Sequence, residues 1–84
     1  MDRYLITFRS ITFAQRGERA LRRGGIDCTL LRTPKVLSER GCSYCLRVNQ
    51  RNALTAAALL QTADIPFMKL YQLSGDGSIQ ERHL

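Results

Sequence analysis

Residues 4–8, Tyr-Leu-Ile-Thr-Phe, form a short aromatic and β-branched run. Its alternate members Tyr4, Ile6 and Phe8 share one face, which predicts a strand with that face in the core. Arg9 and Ser10 end the run. Ser10 stands where a helix N-cap is expected, because Ile11, Ala14, Gly17, Ala20 and Leu21 then recur at the spacing of one helical face to about Arg23. Gly24-Gly25 stops that helix. Residues 26–33 read as a second strand closed by Pro34, which has no N–H to give to a ladder, and a loop follows over 35–44. Alternation over 45–48 predicts a third strand. Asn49 is expected to cap a second helix over 50–63, rich in Ala and Leu and free of Pro and Gly. Asp64-Ile65-Pro66 breaks it, and residues 67–73 supply a fourth strand. Residues 74–84, which begin Ser-Gly-Asp-Gly-Ser, read as a flexible C-terminal tail.

The order strand, helix, strand, strand, helix, strand fits an α+β domain of two layers. It predicts the ferredoxin-like βαββαβ sandwich, a four-stranded antiparallel sheet with two helices on one face. With 84 residues there is room for one domain, residues 1–73, and every amphipathic element has to contribute to its core. No run approaches the roughly 18 to 20 apolar residues of a membrane helix. The first eight residues carry an acidic second position and only five apolar residues in a row, so they do not read as a signal peptide. Three cysteines are an odd count, which argues against a disulfide scaffold and for a reducing, cytoplasmic setting.

A formal charge of +6 with 13 Lys and Arg invites a nucleic-acid partner, yet these residues are scattered from Arg3 to Arg82 and form no single run. A ferredoxin-like sheet that binds RNA carries aromatics on its central strands, and residues 45–48 contain none. RNA or an acidic protein therefore stays as an alternative partner, met by Arg16, Arg19, Arg22 and Arg23 on the first helix; a solvated helix face is the plainer reading. Phe67 and Tyr71 on the last strand are expected to pack or to seal the edge of a homodimer. Cys28 alternates with Leu30 and is expected to be a packed, inert thiol. Ser10 with Arg9 could hold an anion at the helix N-terminus, but capping alone accounts for it.

Covalent chemistry concentrates in Arg40-Gly41-Cys42-Ser43-Tyr44-Cys45-Leu46-Arg47. Two thiols three residues apart support disulfide exchange, metal ligation, or carriage of a persulfide or selenide on one sulfur while the other resolves it. Zinc needs three or four protein ligands, and the only histidine, His83, is in the expected tail, so no metal and no other cofactor is expected. Thioredoxin-type chemistry places such a pair at a helix N-terminus, whereas this pair precedes a strand. Lys35, Arg40 and Arg47 flank it, with Glu39 opposing them, and would favour a thiolate or persulfide anion. From the residues alone, two half-buried loop cysteines with a solvated arginine rim explain the segment equally well.

Taken together, residues 4–10 leading into a helix with Ala14, Glu18 and Leu21, then Gly25-Ile26, Pro34, Ser38 and the segment 41–48, resemble the selenium/sulfur (Se/S) carrier-like family. The resemblance spans roughly residues 4–73. The family's loop pattern is Cys-Gly-x-x-Leu-Arg, often with a second cysteine just before the Leu; here Ser43 stands where Gly is usual. The resemblance implies a small thiol-based carrier rather than a stand-alone enzyme, with Cys42 the carrier, Cys45 a helper or resolving thiol, and Arg47 steadying the anion. Its partners would be a sulfur or selenium donor, such as a cysteine desulfurase, and an acceptor protein. A Cys42/Cys45 thiol-disulfide switch is the further alternative.

Overall fold

A computed structural model describes residues 2–37 and 44–82 of the chain. The elements are β1 (Arg3–Phe8), α1 (Ile11–Arg23), β2 (Thr29–Arg32), a 3-10 turn (Lys35–Leu37), β3 (Tyr44–Asn49), a second 3-10 turn (Gln50–Asn52), α2 (Ala53–Thr62), β4 (Leu70–Leu73) and β5 (Ile79–Arg82). The strands pair antiparallel in the order β2-β3-β1-β4-β5. The architecture is thus α+β with two helices, and the order of its first four strands is compatible with the ferredoxin-like plan. The expected four-stranded sheet is corrected to five strands.

The fifth strand lies in the stretch that reads as a tail. All four residues of β5 are exposed, so they carry no apolar alternation to announce it. What holds it is polar. Gln72 on β4 donates to Asp2 Oδ2 at 2.7 Å and accepts from Arg82 Nε at 2.7 Å. The β4–β5 turn is tied by Gly77 N to Ser74 O at 3.0 Å and by Ser78 N to the Asp76 carboxylate at 2.9 Å, with Gly77 at φ +92. A Gly supplies that backbone without steric cost.

The helix-side core follows the alternation of β1. Ile6 and Phe8 are buried there with Leu46 and Val48 of β3, Leu70 of β4, and Ala14, Leu21, Ala56 and Leu60 of the helices, and Tyr4 packs against them. Gly17 lets α1 lie close to this sheet: a Cβ there would come within 3.0 Å of Phe8 Cζ and 3.2 Å of both a Leu46 and a Leu60 methyl. Ser10 caps α1 as expected, its hydroxyl accepting from Phe13 N at 3.3 Å. Asn49 takes the cap position of the 3-10 turn instead of α2, and its side chain makes no capping bond. The second and fourth strands are shorter than their sequence spans. β4 is nevertheless preceded by a tie to β1, where Met68 N donates to Thr7 O at 2.8 Å and Thr7 N to Lys69 O at 2.9 Å. No helix among the described residues is long and apolar enough to cross a membrane.

Candidate thiol site

Cys45 is the second residue of β3, and the pleat sends its side chain to the face opposite the helices, together with that of Arg47. Across the ladder Cys45 is opposite Thr7 of β1 on one side and Leu31 of β2 on the other. It belongs to a second, smaller apolar cluster with Leu5, Leu37 and Tyr71, against which Leu31 and Leu73 pack. Leu37 belongs to the 3-10 turn after Pro34, so the chain leaving β2 folds back over the helix-free face. The result is a covered thiol: Cys45 is 0% exposed, Leu5 1%, Tyr71 7% and Leu37 9%.

Burial decides the acidity of Cys45. It pushes the thiol above its ordinary range, while the Thr33 hydroxyl and the Arg47 charge pull the other way and are outweighed. Thr33 Oγ1 is itself buried and has no hydrogen-bond partner of good geometry among the described residues, so its influence on the thiol is one of proximity, without a well-directed bond. The expected cationic activation therefore has the right sign for Arg47 but does not govern Cys45. Arg47 is half-buried, opposite Leu5 and Thr29, and borders a pocket of ≈ 360 Å³ with Arg3, Asp27 and Cys28. Lys35 is exposed at the start of the 3-10 turn. Arg40 and Cys42, with Glu39 and His83, lie outside the described residues.

Cys28 is a core thiol. It is buried on the helix side, its Sγ donates to Glu18 O at 3.9 Å, and burial raises its pKa. Among the described residues Cys28 and Cys45 are both free. Arg22, grouped in the sequence with the other helix arginines, is diverted to this corner: it donates to Cys28 O at 2.8 Å and pairs with Glu18 at 3.4 Å. Tyr71 packs within the Leu5 cluster, and β5 occupies the flank of β4, so Tyr71 does not seal a sheet edge.

Leu37 and Thr33 are the residues that sequence reasoning passed over. Val36 and Leu37 are consecutive apolar residues in a loop otherwise polar, and one of them was the available signal for an anchor; Leu37 docks, and Val36 is 81% exposed. No three Cys, His, Asp or Glu side chains converge as metal ligands among the described residues. Residues 3–72 match the family model described as "Putative Se/S carrier protein-like". Neither the curated proteins nor the solved structures give a match.

Proposed function

The chain belongs to the Se/S carrier-like family, and on that premise we propose that it relays sulfur or selenium between proteins with Cys42 as the accepting atom. The observation that carries the choice of sulfur is the state of its neighbour. Cys45 is sealed under Leu37 and its thiol is held protonated by burial. A buried thiol is a poor first nucleophile, because only the thiolate attacks and an incoming persulfide must reach it. That leaves Cys42 as the acceptor of the pair, with Arg40 and Lys35 as the nearby charges of the loop and Arg47 on the strand beside Cys45.

In the transfer, the Cys42 thiolate attacks the outer sulfur of a persulfide on a donor such as a cysteine desulfurase. The donor's S–S bond breaks and its thiolate leaves, while a new S–S bond forms on Cys42. A selenium atom would move in the same way, as a selenide bonded to Cys42 sulfur. An acceptor protein's thiolate then attacks the outer chalcogen and releases Cys42 as thiolate. Cys45 offers a second exit: its thiolate attacks Cys42 Sγ, expels hydrosulfide or hydroselenide, and leaves a Cys42–Cys45 disulfide that an external dithiol reduces. The protonated state of Cys45 keeps this exit slow at neutral pH, which suits a carrier that must not spill its load.

Incubation with a cysteine desulfurase and cysteine, followed by intact mass measurement without reductant, tests the reading. The wild-type chain and Cys45→Ser gain sulfur and Cys42→Ser does not; equal loading of Cys42→Ser removes Cys42 from the role.

A further inference from the structure

The outer side of the helix layer is divided by charge. Arg16, Arg19 and Arg23 on α1 line a groove of ≈ 380 Å³ whose remaining walls are Ala20, Ala63 and Ile65. All three arginines are exposed, and Arg22, which points to Cys28 and Glu18, is not among them. Arg16 lies over the Phe13 ring at 5.9 Å, which holds its guanidinium on the α1 lip. Across the groove stands the C-terminal end of α2, ALTAAALLQT, a helix with no charged residue, continued by Ala63. One lip therefore carries three cations, while the other is small and apolar at Ala63 and Ile65 with the single exposed carboxylate of Asp64 between them.

We propose that this groove docks an acidic amphipathic helix of a partner protein. The spacing i, i+3, i+7 places the three arginines about 4.5 Å and about 10.5 Å along the α1 axis from Arg16, the rise that carboxylates at i, i+3 or i+4, and i+7 of a second helix reproduce. The partner's small apolar stripe then rests on Ala20, Ala63 and Ile65. A second copy of this chain is disfavoured as occupant, because no three of its carboxylates repeat the i, i+3, i+7 spacing of the arginines. Its seven acidic residues are scattered along the sequence, and Asp2, Glu18 and Glu81 are already engaged by Gln72, Arg22 and Lys69. Single-stranded RNA is disfavoured because no aromatic side chain lines the groove on which a base could stack. The surface lies on the helix side of the sheet, opposite Cys45, so a bound helix leaves the helix-free face open. The inference goes beyond the carrier reading and does not depend on it.

The test uses the full chain, isotope-labelled, titrated with a synthetic helical peptide bearing Glu at three positions spaced i, i+4, i+7 beside an Ala/Leu stripe. Amide shifts are expected to move over 16–23 and 63–65. Arg19→Glu/Arg23→Glu is expected to weaken the peptide at least fivefold. Arg3→Glu/Arg51→Glu, which changes net charge equally, is expected to leave its affinity within twofold. Equal loss in both double variants overturns the proposal, as does tighter binding of a uridine oligonucleotide or of anionic phosphatidylserine vesicles through the same arginines. Circular dichroism of both variants confirms that the comparison is between folded chains.

Discussion

Cys45 has the surroundings of a core residue although it is three positions from the thiol proposed to react. The groups that separate it from solvent are few, and Leu37 is the one that arrives from outside the sheet. Leu37→Ala is expected to expose Cys45, relax its pKa toward the ordinary thiol range and raise its alkylation rate severalfold at pH 8, at a stability cost of about 2 kcal/mol. Iodoacetamide kinetics read at the peptide level measure the rate, and urea unfolding the cost; an unchanged Cys45 rate would show that Leu37 is not its cover. At this scale the candidate pair was legible in the sequence as chemistry but not as environment. The spacing Cys42-x-x-Cys45 and the flanking arginines are visible in one dimension. That burial outweighs Arg47 at Cys45 depends on Thr7, Leu31 and Leu37, which are distant along the chain.

Both helices end in the same backbone device, with different residues in its strained position. After α1, Gly25 N bonds Arg22 O and Ile26 N bonds Leu21 O, with Gly25 at φ +80; after α2, Asp64 N bonds Gln61 O and Ile65 N bonds Leu60 O, with Asp64 at φ 61. These are Schellman closures, each followed by a buried isoleucine. Asp64 is poorly suited to its place, since its Cβ disfavours the left-handed region and its charge opposes the negative end of the helix. Asp64→Gly is therefore expected to stabilise the chain by about 1 kcal/mol, read as a higher urea midpoint at unchanged slope; a lower midpoint would mean that the carboxylate makes an interaction that offsets the strain. The first closure was readable because Gly-Gly is a local stop signal. The second was readable only as a break, because Asp does not announce a positive φ.

The hairpin of β4 and β5 shows the opposite limit. Asp76-Gly77 between Leu73 and Ile79 is the turn signal that could have found it, but the following strand buries nothing and so has no hydrophobic pattern. Its attachment runs through the side chain of Gln72, itself 9% exposed, to Asp2 and Arg82. Gln72→Ala removes the bonds to Asp2 Oδ2 and Arg82 Nε, leaving Asp2 its bond from Gly75 N at 3.2 Å, and is expected to cost about 1–2 kcal/mol, concentrated as lost hydrogen-exchange protection in β5 with β1 and β3 retained. Uniform loss across the sheet would instead mean that Gln72 supports the whole core.

For the molecule as a whole, the sheet separates two jobs. One face carries the helices and the main core, whose membership Tyr4, Ile6 and Phe8 foretold by alternation; the other is roofed by the chain leaving β2 and carries the buried thiol. Both described thiols have pKa values raised by burial, so their neutral forms are favoured in the folded state. Their stabilising contribution is complete below the ordinary thiol pKa of about 8.5 and is lost as pH rises through the raised folded values. Thermal midpoints are expected to fall as pH rises above about 8.5, with a shallower fall in Cys45→Ala; parallel curves would mean that Cys45 does not couple folding to alkaline pH.

The inequality of Cys42 and Cys45 is the central claim, and the position of the transferred atom tests it most directly. Arg40 and Arg47 bound a tryptic peptide, residues 41–47, that holds both sulfurs, so fragmentation after desulfurase loading and alkylation reads the two sites in one molecule. The added sulfur is predicted on Cys42, with Cys45 in the same peptide unmodified by the donor. Sulfur found first on Cys45, or distributed evenly between the two, would contradict the account.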